Sequence, residues 1–242
     1  AGAFFAYVRD MPTDMRSASL AWVGLACYAF QIYFDFSGYS DMAVGLGRLF
    51  GFRFPQNFDY PYTALGASDF WRKWHITLSS WFREYLYIPL GGNRRGKART
   101  YLNLFIVWTL TGLWHGAGVN FILWGVYWFL LIAADKAFAG RILERIPRFF
   151  GYALTLLAVG FGWLIFAFDG STSSLTFPAM LGYLGNLFGS AGVFSAADGF
   201  DILRCLPLLA VAAVGATPLP SKLFYRFLGR SRPQVAETAA AV

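Results

Sequence analysis

From Phe149 to Leu203 the chain carries no lysine or arginine, and within that stretch Gly151 to Phe168 carries no charge at all. Two other stretches are similar. Ser17 to Phe36 holds Asp35 as its only charge, and Ile202 to Leu219 holds only Arg204. A helix rises 1.5 Å per residue, so about 20 apolar residues match a hydrocarbon layer of about 30 Å. Gly151 to Phe168 and Ile202 to Leu219 are a little short for that, but within range. The spacing predicts an all-α, polytopic integral membrane protein with transmembrane helices. Composition agrees. Hydrophobic residues make up 57% of the chain and charged residues 14%, against about 45–50% and about 25% in soluble domains. Aromatics reach 20%, with nine Trp and 26 Phe, and Trp and Tyr favour membrane–water boundaries.

The net charge of +7 would suggest nucleic acid in a soluble protein. Here the cations cluster in short segments between apolar stretches, the pattern of cytoplasmic loops, so no nucleic-acid partner is expected. Arg141, Arg145 and Arg148 precede one apolar stretch, and Lys222, Arg226, Arg230 and Arg232 follow the last. The path therefore reads as cytoplasm, outside, cytoplasm, with a Gly- and Ser-rich loop from Gly170 to Gly199 outside. Cys27 and Cys205 sit inside apolar segments; neither a disulfide framework nor a metal site is indicated. The chain begins at Ala1, with no signal-like segment, as expected of a piece that starts within a longer protein.

Between Thr100 and Asp135 two apolar pieces, Tyr101 to Leu113 and Phe121 to Ala134, are flanked at both outer ends by cations. Each piece of 13–14 residues is about 20 Å long as helix, short for an upright span. A re-entrant helical hairpin is predicted, with His115 at its tip in the turn Trp114-His115-Gly116-Ala117-Gly118-Val119-Asn120. Asp69 to Pro89 reads as one amphipathic helix, lying at the cytoplasmic interface or lining a wet cavity. Phe70, Trp71, Trp74, Leu78, Trp81, Phe82 and Tyr85 form its apolar face, Ser68 is its N-cap, and His75 lies at the border of the stripe.

His75 and His115 are the only histidines. A lone histidine is often a hydrogen-bonded core residue, but ionisable groups at membrane depth are costly and usually functional. Asp35 and Asp41, in Phe34-Asp35-Phe36-Ser37-Gly38-Tyr39-Ser40-Asp41, could do acid–base or metal chemistry; alternatively, Asp35, Ser37 and Ser40 cap or break a helix at a kink. Arg94, Arg95, Lys97 and Arg99 form a topogenic loop that meets anionic headgroups, or alternatively a contact for a phosphate-bearing acyl carrier.

These segments in order, with Asn57-Phe58-Asp59-Tyr60-Pro61-Tyr62, Asp69-Phe70-Trp71-Arg72-Lys73-Trp74-His75, Tyr87-Ile88-Pro89-Leu90-Gly91-Gly92 and Leu113-Trp114-His115-Gly116, resemble the membrane-bound O-acyltransferase family. Within it, the bacterial alginate O-acetyltransferase branch is the nearest likeness and the D-alanyl transfer proteins of teichoic acid synthesis a more distant one. The likeness is dense from 31 to 136 and looser to about Phe188. It implies a single membrane domain over residues 1–242 forming the C-terminal part of a longer enzyme, in the bacterial inner membrane. His115 would be the general base and His75 would hold the acyl donor or steady the oxyanion. No bound cofactor is implied; acetyl-CoA or another acyl thioester is the donor. The implied partners are the lipid bilayer, an extracytoplasmic hydrolase-like acetyltransferase and, through it, an alginate-like polysaccharide. Alternative readings are D-alanyl or lipid acyl transfer, or a transporter whose histidines relay protons.

Overall fold

The computed structural model describes residues 1–168 and 177–229. Every regular element among them is helical. A short α1 (Gly2–Asp10) leads to α2 (Ala18–Leu49), a helix of 32 residues. The hydroxyl of Ser17 accepts from the Leu20 amide at 3.2 Å and starts α2. The helix then runs unbroken through the Phe34–Asp41 segment. The cap-or-kink reading of Asp35 is therefore corrected: Asp35 lies mid-helix with an exposed side chain.

The expected single helix from Asp69 to Pro89 is also corrected. It is two helices, α3 (Ala67–Lys73) and α4 (Ile76–Phe82), followed by a π-helical turn at Arg83–Tyr87. An irregular segment around Asn57 lies against the break. The Asp59 amide donates to Lys73 O at 2.9 Å and the Ile76 amide donates to Asn57 O at 3.0 Å. Lys73 O and the Ile76 amide are thus drawn away from helical pairing. Ser68 is not the cap; α3 starts two residues earlier than expected, after Gly66, and Asp69 accepts from the Leu65 amide at 2.9 Å. Much of the aromatic stripe is inside the protein instead of at an interface. Phe70, Trp71, Trp74 and Phe82 are buried, and only Trp81 and Tyr85 of that face are exposed.

The hairpin is present and longer than its apolar runs. Its first arm is α5 (Lys97–His115), with 19 residues. The second is α6 (Val119–Ala134), which continues through a π-helical turn into α7 (Gly140–Arg145), a path of 27 residues. At 1.5 Å per residue these measure about 28 and about 40 Å, enough to cross a bilayer's apolar core. The backbones of the arms touch at Gly112 and Gly125. A Cβ on Gly112 would clash with the carbonyl oxygen of Phe121, and one on Gly125 with that of Trp108. Small residues let membrane helices approach this closely.

Next come α8 (Arg148–Ala167), α9 (Phe177–Leu187), α10 (Ala196–Gly215) and α11 (Leu219–Phe227). Two helices, Val119–Arg145 and Arg148–Ala167, are long and apolar enough to cross a membrane; a third path counts if α10 and α11, bent by 66°, act as one. Of the loop expected from Gly170 to Gly199, residues 170–176 lie outside the described residues; from Phe177 to Leu187 it is helical, because Met180, Tyr183 and Leu187 recur on one face and are buried.

Two cores result. One is aromatic and joins α3, α5, α6 and α8 through Phe70, Trp71, Trp124, Trp128 and Trp163. The other joins α1, α2, α8, α9 and α10 around Val8, Leu20, Leu164 and Tyr183. Buried Arg16 ties this second core by donating to Val8 O at 2.7 Å and to Asn186 Oδ1 at 3.1 Å. Leu154, Leu156 and Leu157 of α8 and Leu203, Leu206 and Val211 of α10 face outward. Exposed leucines at this density are a liability in water and suit contact with lipid.

Candidate active site

Histidines 40 residues apart in sequence line one cleft of about 580 Å³. His115 is the last residue of α5 and reaches the cleft because the chain turns there into α6. Its ring packs edge-on against Trp124 at 5.0 Å and Phe166 at 5.1 Å. No protein group among the described residues hydrogen-bonds either of its nitrogens.

His75 occupies the break between α3 and α4 with φ of +47°. Left-handed backbone costs a side-chain-bearing residue about 1–2 kcal/mol, least for Asn, Asp and His. Such outliers persist where surrounding structure enforces them, and they cluster at functional sites. The enforcing structure here is the Asn57 segment. His75 Nδ1 lies 3.1 Å from Asn57 Oδ1. The same oxygen accepts from the Thr77 amide at 3.2 Å and the Thr77 hydroxyl at 2.8 Å. Asn57 Nδ2 donates to Ser40 Oγ on α2 at 2.9 Å. The ring meets Phe36 edge-on at 4.6 Å. Burial, and after it the neighbouring His115, push the pKa of His75 down to about 4, so the ring is neutral at neutral pH.

Polar groups from α2 complete the wall: Tyr28, Gln31, Asp35 and Tyr39. Asp35 thus joins the histidines, whereas Asp41 is not among the lining residues. Sequence reasoning missed Gln31, Tyr28, Tyr39 and the part played by Asn57. The available signal for Asn57 was a polar residue amid aromatics in Asn57-Phe58-Asp59-Tyr60; for the others it was the i, i+4 and i+8 spacing of Gln31, Asp35 and Tyr39 on one helix face.

A second cavity, of about 450 Å³, has a floor that includes Trp71, Leu104 and Trp108. Its rim carries Arg72, Arg83 and Lys136 together with Asp69, Asp135 and Glu144. Ring contacts link the two spaces: Trp71 to Trp124 at 5.6 Å, then Trp124 to His115 at 5.0 Å. Of the basic loop, Arg94, Arg95, Lys97 and Arg99 line neither cavity.

A shared cleft with two imidazoles, a carboxylate and an amide can move protons at a bound hydroxyl. Known proteins bear on which reaction that is. Residues 1–177 match a sequence model of the membrane-bound O-acyltransferase family. A probable alginate O-acetylase of Pseudomonas fluorescens is 52% identical over 149 residues, 60% of this chain and 30% of that protein. A peptidoglycan O-acetyltransferase of Helicobacter pylori is 42% identical over 158 residues, 64% of this chain and 30% of that protein. A teichoic acid D-alanyltransferase of Bacillus subtilis is 29% identical over 154 residues, 58% of this chain and 39% of that protein. The chain thus spans about a third of the length of these relatives. With the family match covering most of its length and the helices apolar enough to cross a bilayer, the chain belongs to the membrane-bound O-acyltransferase family, as a multi-pass membrane protein.

Proposed function

We propose that this chain carries the transfer site of a membrane O-acetyltransferase that moves acetyl from a cytoplasmic thioester such as acetyl-CoA to a hydroxyl, for O-acetylation of an exopolysaccharide. The observation that supports this reading is the convergence of both histidines on one cleft. An alcohol is a weak nucleophile at neutral pH and needs a base within reach. Neutral imidazole, with an ordinary pKa near 6.5, is suited to that work. In this reading His115 takes the hydroxyl proton as the oxygen attacks the thioester carbonyl. The tetrahedral intermediate then collapses, the carbon–sulfur bond breaks, and the thiolate recovers the proton from His115.

The second cavity supplies a route for the donor. Its rim of Arg72, Arg83 and Lys136 suits a phosphate-bearing thioester, and its apolar floor suits the carbon chain. The acceptor would approach the histidine cleft from the other membrane face, and an extracytoplasmic hydrolase-like acetyltransferase would pass acetyl on to the polymer. The names of the Pseudomonas and Helicobacter relatives favour a polysaccharide or glycan destination in a bacterial inner membrane. The Bacillus relative keeps D-alanyl as the second cargo to test.

The test is transfer of labelled acetyl by the full-length enzyme and its His115→Ala variant in membranes. Loss of the base should cost about 10²–10⁴-fold in rate with expression unchanged. A variant that keeps most of its activity contradicts the assignment. Labelled D-alanyl used in place of acetyl separates the two cargoes.

A further inference from the structure

We propose that Asn57 locks His75 in the tautomer protonated at Nδ1, which makes His75 Nε2 a hydrogen-bond acceptor for an O–H or N–H of the substrate and excludes the neutral ring as a donor to the oxyanion.

One partner of Asn57 has a role that cannot vary. A backbone amide only donates, so the Asn57 atom 3.2 Å from the Thr77 amide is the carbonyl oxygen Oδ1, not the amide nitrogen. That orients the side chain and sends Nδ2 to Ser40 Oγ at 2.9 Å, so both ends of the buried amide are engaged. Oδ1 carries no hydrogen. His75 Nδ1, 3.1 Å away, must therefore supply one. A neutral imidazole protonated at Nδ1 has its lone pair on Nε2. No other hydrogen bond to this ring occurs among the described residues. The left-handed backbone of His75, held by the Asn57 carbonyl through the Ile76 amide, fixes the ring's base in the same stroke.

The consequence is chemical. The thioester carbonyl and the oxyanion it becomes only accept hydrogen bonds. Groups able to donate to Nε2 are the amide N–H groups of a thioester's carrier arm and the hydroxyls of the acceptor. Asn57 is thus a positioning residue and His75 a substrate-binding one. This assignment of ligand rests on the acyl-transfer reading; the tautomer does not.

Ring-¹⁵N-labelled histidine in the full-length protein in bilayers reads the tautomer directly, with His75 assigned by difference from a His75→Gln variant. Protonated Nδ1 with unprotonated Nε2 supports the proposal. Protonated Nε2 in the wild type overturns it, whatever the activity. In Asn57→Leu the tautomers should mix; a ring still held at Nδ1 also overturns it. Asn57→Asp, which still accepts from Nδ1–H and from the Thr77 amide, should restore a protonated Nδ1, with Nε2 also protonated wherever the new carboxylate raises the ring's pKa; an unprotonated Nδ1 in that variant counts against the proposal. In kinetics, Asn57→Leu should raise one KM by about 10–100-fold, the size of loss that follows when the group orienting a metal-bound histidine is removed. A rise for the thioester identifies the donor's arm as the ligand, and a rise for the acceptor identifies its hydroxyl. A fall in kcat with both KM values unchanged contradicts substrate binding by His75.

Discussion

His115 ends an uninterrupted helix of 19 residues, whereas His75 sits in a break between two helices of seven. The first is placed by packing. Its hairpin closes through direct backbone contact at Gly112 and Gly125 and through aromatic rings, and its nitrogens have no protein partner among the described residues. The second is placed by hydrogen bonds. Asn57, Thr77 and Ser40 hold it in a backbone conformation that it would not choose alone. The contrast teaches that one cleft needs two kinds of precision. A ring free at both nitrogens can change its protonation during a reaction, and a ring fixed at one nitrogen can hold a substrate group in a constant orientation.

The comparison can be broken most forcefully at the hairpin. Gly112→Val should force the arms apart at the Phe121 carbonyl, costing about 3 kcal/mol or more, the upper range for overpacking. Thermal unfolding of the full-length protein in detergent would show a lower midpoint, with activity lost in step. An unchanged midpoint would mean that the arms are not in backbone contact. The polar side is sharpened by a smaller change. Ser40→Ala removes one neutral hydrogen bond from buried Asn57 and should cost about 1 kcal/mol. It should leave Asn57 bound to Thr77, so the His75 tautomer signal should persist; loss of that signal would make Ser40, not Thr77, the residue that orients the amide. A backbone effect of similar size comes last. His75→Asn should be more stable than His75→Ala by about 1 kcal/mol, because Asn tolerates the left-handed region. Equal midpoints would show that the break relaxes when the ring is removed.

The helical class, the hairpin and the two histidines were legible from apolar run lengths, flanking cations and the scarcity of histidine. The arm lengths were not. Counting apolar residues stops at Thr100 and Asp135, but the helices continue through Lys97–Arg99 and on to Arg145, where polar residues can still hydrogen-bond as helix outside the apolar layer. The break at His75 was hidden because the apolar spacing of Phe70, Trp71, Trp74 and Leu78 runs across it without interruption. What interrupts the helix is tertiary: the segment at Asn57–Asp59 takes the hydrogen bonds. Local periodicity carries no trace of partners 14 and 19 residues away. Asp35 was misplaced for a related reason. A carboxylate after an apolar run reads as a helix end, yet α2 extends past it and places it in the cleft wall.

The central claim is that His75 and His115 act on one reacting pair in one cleft. A double-mutant cycle tests it most directly, with acetyl transfer measured for His115→Ala, His75→Asn and the double variant of the full-length enzyme. Residues that act as a unit give non-additive losses. The double variant should then be no slower than His115→Ala alone. Losses that multiply in full would show that the two histidines act independently and contradict the account.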